Sequence, residues 1–238
     1  MTRQTIQAPT RRLASWRPTT MREWPGQVAT SLRLWGCTFH CPYCSTAGLR
    51  GPSDPGVSWD DVIAHLVLHR DMLDGVVVTG GEPTEDPDLP SLLAALKDLG
   101  LAVRLDTNGC RPDVLSYLLA EGLCDSVALD VKAVPARYRE FSDERDMAAR
   151  VAECVDMLIE SDLEHEFRTT VVPGIVDPEE LPRIARTLRG GRLYILQQYR
   201  PLPGRAVTPY DDAALRHAAR VCSRFLPTSP RGLTIGDD

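Results

Sequence analysis

From Val28 onward the chain alternates short apolar, β-rich runs with amphipathic helical segments, which restricts it to a parallel sheet with helical crossovers. The strand candidates are residues 28–34, 76–79, 102–106, 126–131, 167–172 and 192–197. All are short and mostly apolar, as strands buried on both faces must be. Helix starts are marked by small polar residues or proline: Ser58, Asp88 with Pro90, Arg111 with Pro112, Ser142, Asp177 with Pro178, and Thr208 with Pro209. Gly100, Gly122 and Gly190 fall just past the second, third and fifth helices, where a left-handed residue closes a helix. Leu92, Leu93, Leu96 and Leu99, like Val151, Val155, Leu158 and Ile159, give their helices one face to lay on a sheet. Such a series fits a partial (β/α) barrel or an open doubly wound sheet, and periodicity does not choose between them. In both, function gathers at the carboxyl ends of the strands.

A chain of 238 residues can bury a full core as one α/β domain. The expected organisation is one domain over residues 23–238, without internal repeats and with a late loop at 201–207, after a flexible basic arm over residues 1–22. That arm carries Arg3, Arg11, Arg12, Arg17 and Arg22 and no Asp or Glu. It lacks the apolar core of a secretory signal and the amphipathic helix of a transit peptide. The net charge of −6 argues against a nucleic-acid surface, which needs clustered excess Lys and Arg. No apolar run is long enough to span a bilayer, so no membrane partner is expected. Seven cysteines, an odd number with no export signal, fit a reducing cytoplasm better than a disulfide framework.

Three of those cysteines stand in one tight turn after the first strand, Cys37, Cys41 and Cys44 in WGCTFHCPYC. The spacing supplies three thiolates and no nearby fourth, a donor count that suits an iron–sulfur cluster with one iron left open for a ligand. A structural zinc site is the competing reading, but zinc normally takes four protein ligands. His40 lies inside the loop, and Cys110, Cys124, Cys154 and Cys222 are scattered without metal-ligand spacing. Coincidental core cysteines are the remaining alternative.

The other strand ends carry polar groups in series. After the second come Thr79, Gly80, Gly81, Glu82 and Pro83. The two glycines would let backbone approach a ligand, and the carboxylate could accept from a cationic amine; a tight structural turn explains the pair equally. The third ends in Asp106, Thr107, Asn108 and Gly109, where the plainer role is a turn closed by side-chain bonds to local backbone. The fourth ends in Asp130, Val131 and Lys132, with carboxylate and ammonium on one face: a marker of a site, or a structural ion pair. Arg168 to Gly174 and Gln197 to Tyr199 offer hydroxyls and amides that ordinary capping would also explain. His65, His69, His165 and His217 sit in or beside helices, where a solvated or core histidine is the default.

Taken in chain order, the cysteine loop, residues 80–83, 106–109 and 130–132 resemble the radical S-adenosylmethionine (SAM) superfamily. Within it the sequence is most similar to glycyl-radical-enzyme activases, especially anaerobic ribonucleoside-triphosphate reductase activating proteins and, more distantly, pyruvate formate-lyase activating enzyme. Glu23, Trp24, Pro25 and Gly26, together with VVPGIVDPEEL and YILQQYRP, add to the likeness, which covers roughly residues 21–232. The resemblance implies a TIM-like (β/α)6 partial barrel holding a [4Fe–4S] cluster on Cys37, Cys41 and Cys44, with SAM chelating the fourth iron. It implies that Gly80, Gly81 and Glu82 meet the methionyl amine. Tyr43 would lie near the adenine, and Asp106, Asp130 and Lys132 near the methionyl carboxylate and ribose, with Thr107 and Asn108 as further cofactor contacts. Asp106, Thr107 and Asp130 match residues that hold a monovalent cation in pyruvate formate-lyase activating enzyme, and the resemblance extends that role to them here. Many activases follow the last cysteine with His-Asn, whereas this chain has Ser45 and Thr46, and Ser45 takes the cofactor-contacting place there. No ferredoxin-type insertion is present, so the electron is expected from a flavodoxin or ferredoxin.

The function implied is reductive cleavage of SAM to a 5′-deoxyadenosyl radical that generates a glycyl radical on a partner such as anaerobic ribonucleotide reductase. One alternative keeps the radical chemistry but acts on a peptide, nucleoside or small metabolite. Another is a metal-stabilised scaffold or electron carrier without enzymatic activity.

Overall fold

The apolar runs become strands and the amphipathic segments helices in the computed structural model, which describes residues 13–50, 56–202, 204 and 207–233. The strands are β1 (Leu13–Thr20), β2 (Ala29–Leu34), β3 (Gly75–Gly80), β4 (Ala102–Thr107), β5 (Ser126–Asp130), β6 (Glu164–Val171), β7 (Tyr194–Gln198) and β8 (Thr228–Arg231). The helices are α1 (Trp59–Leu68), α2 (Leu89–Asp98), α3 (Pro112–Ala120), α4 (Met147–Glu160), α5 (Leu181–Thr187) and α6 (Asp212–Cys222), with short 3₁₀ turns including Pro83–Glu85 and Pro135–Glu140. The strands follow the chain in sheet order, β1 to β8. β1 runs antiparallel to β2, while β2–β3, β3–β4, β6–β7 and β7–β8 pair in parallel. This is an α/β fold with a mostly parallel sheet.

All six expected strands are present. The helices lay down the faces their sequence encodes: α2 buries Leu89, Leu92, Leu93 and Leu96, and α4 buries Met147, Val151, Cys154, Val155 and Leu158. Ser58 caps α1 by accepting from the Asp61 amide, and Gly100, Gly122 and Gly190 all adopt positive φ just beyond their helices. Three helix starts fall later than expected, after Asp146, Glu180 and Asp211 rather than at Ser142, Asp177 and Thr208. Two of the expected caps close turns instead: Ser142 Oγ accepts from the Glu144 amide at 3.2 Å, and Asp177 Oδ1 from the Gly174 amide at 2.8 Å. At the third, Asp211 Oδ1 takes the Ala214 amide at 2.7 Å and so defines the N-terminus in place of Thr208.

Two strands were not anticipated. Residues 13–20, expected within a flexible arm, form β1, and this corrects the arm reading for that stretch; Arg3, Arg11 and Arg12 lie outside the described residues. Pro18 masks the strand in the sequence, yet proline is tolerated at an edge, and here its carbonyl accepts from Thr30 Oγ1 at 2.7 Å. β8, with sequence TSPR, is too short and polar to read as a strand. Of the expected late loop, residues 203, 205 and 206 lie outside the described residues.

The chain divides into two compact units. The first comprises Met1–Thr38, Thr46–Thr107 and Arg111–Val127; the second comprises Phe39–Ser45, Asn108–Cys110 and Ala128–Asp238. The first buries Leu32, Val76, Val78, Val103 and Leu105 of its strands completely, and Trp24 packs with Ala29 and Val77. The second is centred on Leu129, Phe167, Val171 and Leu196 with Leu158, Leu181 and Leu215. Among the described residues, no helix is long and apolar enough to cross a membrane.

Candidate functional site

In the first unit the ends of the cysteine loop are fastened to the turn after β3. The Gly36 amide donates to the Leu49 carbonyl at 2.7 Å, the Glu82 amide to the Gly36 carbonyl at 2.6 Å, and Thr46 Oγ1 to the Gly80 carbonyl at 3.2 Å. A Cβ on Gly81 would sit 1.8 Å from the Gly36 carbonyl oxygen. No side chain fits there, so the glycine is required by the backbone that leads into Cys37. The pair Gly80–Gly81 therefore has a structural role as a clasp, and Thr46, which the sequence showed only as a departure from His-Asn, is part of it.

Beside the clasp, Glu82 is buried, and its Oε1 accepts from the Thr84 amide at 3.1 Å, Thr84 Oγ1 at 2.6 Å and Thr107 Oγ1 at 2.6 Å. Those donors orient the carboxylate. Thr84 was not singled out from the sequence, although a hydroxyl two residues after the carboxylate is the signal that could have found it. Asp106, on β4, faces Arg104 Nε at 3.4 Å, and the Arg104 side chain is 2% exposed. Cys37, half-buried, belongs to this unit.

The second unit holds Cys41, Tyr43, Cys44 and Ser45 with Asn108, Asp130 and Lys132. The 3₁₀ turn at Pro135–Glu140 and the following Phe141 anchor the loop. The His40 amide donates to the Phe141 carbonyl at 2.9 Å, the Tyr43 ring meets Phe141 edge-on at 6.2 Å, and Phe39 meets Tyr138 at 6.5 Å. Tyr138 also accepts from the Lys132 amide at 3.2 Å, so one aromatic pair supports both the cysteine loop and the end of β5. Sequence reading missed Tyr138 and Phe141; the aromatic spacing after Lys132 was the available signal.

Asp130 accepts from Lys132 Nζ at 2.8 Å on Oδ2 and from Arg168 Nε at 2.7 Å on Oδ1. Burial alone would raise its pKa, but the charges of Arg168 and Lys132 and their hydrogen bonds outweigh it and hold the carboxyl well below the usual range. Burial alone would lower Lys132, but the charge of Asp130, then those of Cys41 and Tyr43, raise it. Burial pushes the Cys41 thiol up, with Lys132 opposing. The Tyr43 hydroxyl is buried with no hydrogen-bond partner among the described residues, and its pKa is likewise raised by burial. Asn108 Oδ1 accepts from the Cys110 amide at 3.0 Å, the local turn its position allowed, and Ser45 is exposed.

The other four cysteines are buried. Burial pushes the thiols of Cys124 and Cys222 up to about 12, which keeps them protonated and poor as ligands. Cys154 Sγ donates to the Gly109 carbonyl at 3.4 Å. Among the described residues, no three His, Cys, Asp or Glu side chains already stand grouped as a metal-ion site. Each of the residues matched to a monovalent-cation site has a partner within its own unit. Both oxygens of Asp130 are engaged by fixed cations, Asp106 faces Arg104, and the Thr107 hydroxyl donates to Glu82.

Comparison with known proteins agrees with this arrangement. The profile of the radical SAM superfamily matches residues 35–188. A provisionally named glycyl-radical enzyme activating enzyme of Methanocaldococcus jannaschii is 31% identical over 186 residues, covering 75% of this chain and 76% of its own. A radical SAM methyltransferase from Sphaerobacter thermophilus superposes with a TM-score of 0.67 at 17% identity, covering 90% of this chain and 68% of that one. QueE from Escherichia coli superposes with a TM-score of 0.54 at 18% identity, covering 93% of both chains. These likenesses place the mostly parallel sheet among the radical SAM partial barrels. The chain belongs to the radical SAM superfamily, a membership that implies a [4Fe–4S] cluster and S-adenosylmethionine.

Proposed function

We propose that this radical SAM enzyme is a glycyl-radical-enzyme activase, with anaerobic ribonucleoside-triphosphate reductase as the partner and a flavodoxin or ferredoxin as the electron donor in a reducing cytoplasm. The observation that carries this reading is the likeness to the Methanocaldococcus jannaschii activating enzyme over 75% of this chain and 76% of that one. When bound, the cluster and SAM together supply a 5′-deoxyadenosyl radical by one-electron cleavage of a carbon–sulfur bond.

The residues present fit those groups. Cys37, Cys41 and Cys44 give a three-thiolate donor set, which leaves one iron of a cubane for the cosubstrate. The buried Tyr43 hydroxyl, without a hydrogen-bond partner among the described residues, is suited to a nucleoside, and the Gly81 cradle brings backbone close without a side chain. Gly80, Gly81 and Glu82 would bind the methionyl amine, with Glu82 already oriented by two threonines. Asp106, Asn108, Asp130 and Lys132 would take the carboxylate and ribose, and Ser45 the edge of the loop. Held in this way, the sulfonium is positioned and water is kept from the radical, which is the protein's share of the chemistry. No mobile cation is part of this proposal.

The test is anaerobic incubation of reduced, reconstituted protein with SAM and the candidate reductase, read by electron paramagnetic resonance. A glycyl doublet is expected. Full SAM cleavage without a doublet on any candidate partner would overturn the activase reading in favour of a peptide, nucleoside or small-metabolite substrate.

A further inference from the structure

Two histidine rings, His65 in α1 and His69 at its C-cap, lie against one another beside the edge strand β1, all within the first unit. They are four residues apart, so the helix sets them on one face. Their ring centroids are 4.3 Å apart, with planes 32° from parallel. Each ring commits one nitrogen to a backbone carbonyl: His65 Nε2 to Pro18 of β1 at 3.0 Å, and His69 Nδ1 to His65 at 2.9 Å. A carbonyl only accepts, so both contacting nitrogens carry a proton. The neutral rings therefore keep their lone pairs on the other nitrogens, Nδ1 of His65 and Nε2 of His69. That is how metal-binding histidines are commonly held, one nitrogen donating to a carbonyl while the other ligates. Trp16 of β1 meets His65 edge-on at 4.9 Å.

We propose that His65 and His69 form a two-imidazole site for a divalent transition metal of right-angled coordination, nickel or copper. Imidazole is a good donor for these metals, whereas magnesium and calcium take oxygen. With metal–nitrogen bonds of about 2.0 Å, the metal stands roughly 3.2 Å from each ring centroid; the centroids are then about 4.5 Å apart across a right angle and about 5.2 Å apart across a tetrahedral one. The observed 4.3 Å is nearer the first, so the rings need little adjustment. Both histidines are half-buried, and among the described residues no third His, Cys, Asp or Glu side chain joins them, so water fills the remaining positions.

This inference does not depend on the radical SAM reading. The test is nickel uptake by the full-length protein, measured by equilibrium dialysis before and after anaerobic reconstitution, in wild type, His65→Gln, His69→Gln and His217→Gln. Metal taken up at the cysteines is common to all four and cancels, so the result stands whether or not a cluster forms. Wild type and His217→Gln are expected to share one nickel site per chain that His65→Gln and His69→Gln each weaken at least tenfold, because a chelate loses its second donor. Nickel there is also expected to quench the fluorescence of Trp16, and Trp16→Phe to lose that quenching but not the metal; magnesium should give neither. Should His65→Gln not fold, since His65 also ties Pro18, the folded His69→Gln decides. Equal nickel uptake by wild type and His69→Gln would overturn the inference, as would uptake lost in only one of two folded variants, which would mean a single imidazole. Zinc held more tightly than nickel at these residues would overturn the right-angled geometry.

Discussion

Gly81 shows how a residue can be legible and its role still be read too narrowly. The sequence offered Gly80 and Gly81 as a backbone approach to a ligand or as a tight turn, and the structure gives the turn a purpose, a clasp on Gly36 immediately before Cys37. Gly81→Ala would drive a methyl into that carbonyl, so it is expected to destabilise the apoprotein by about 1–3 kcal/mol and to impair cluster retention. Urea unfolding and iron content check this; an unchanged midpoint would contradict it. Glu82 was legible because a lone carboxylate followed the glycines, whereas its dependence on Thr84 and Thr107 was not, since Thr107 lies on another strand. Thr107→Val removes a 2.6 Å bond to a buried carboxylate and is expected to cost about 1.5–3 kcal/mol by urea unfolding, while Thr107→Ser should keep most of it. Cys37→Ala, Cys41→Ala and Cys44→Ala should each lose the cluster, and Cys110→Ala should retain it, measured as iron per chain. Iron loss in the Cys110 variant would mean four-thiolate ligation.

At the scale of elements, apolar periodicity located six strands, β2 to β7, because strands buried on both faces must be mostly apolar. It could not locate β1 or β8, edge strands whose sequences carry Pro18 and Pro230 and whose stability comes from partners distant in the chain. For β8 that partner is visible: Arg231 forms a two-pronged pair with Glu166 of β6 at 2.7 and 2.8 Å, and the Glu166 side chain is 7% exposed. Glu166→Ala is expected to destabilise by about 1–3 kcal/mol and to increase amide exchange across β8; Glu166→Gln should be milder. At the start of β6, buried His165 accepts from the Arg192 amide through Nε2 at 3.2 Å and so donates from Nδ1 to the Leu163 carbonyl at 3.0 Å. Burial is the main cause of its lowered pKa, with the Arg192 charge adding to it and the Leu163 bond opposing. The unfolded chain therefore takes up the proton more readily than the folded one. His165 contributes stability that is complete above the unfolded value near 6.5 and lost as pH falls below it. Between pH 7.5 and about 5.5, wild type should lose more unfolding free energy than His165→Gln; equal losses would contradict this.

At the scale of the whole molecule, the placement of polar residues at strand ends could be read from the chain, because a parallel α/β sheet puts its loops where function collects, whereas periodicity left the strand order open between a barrel and a doubly wound sheet. The division into two compact units could not be read either, since that depends on which segments pack together rather than on periodicity. Nor could the charge pairing at Asp130, where spacing revealed Lys132 but Arg168 arrives from β6. Family membership fixes the class of chemistry, and the three-cysteine loop is where we propose that this chain expresses it. The most direct test is the electron paramagnetic resonance spectrum of the reduced, anaerobically reconstituted protein recorded with and without SAM. A four-iron cluster signal that changes when SAM is added is predicted, because one iron is left for the cosubstrate by Cys37, Cys41 and Cys44. A signal indifferent to SAM, or a protein that takes up zinc and forms no cluster, would contradict it.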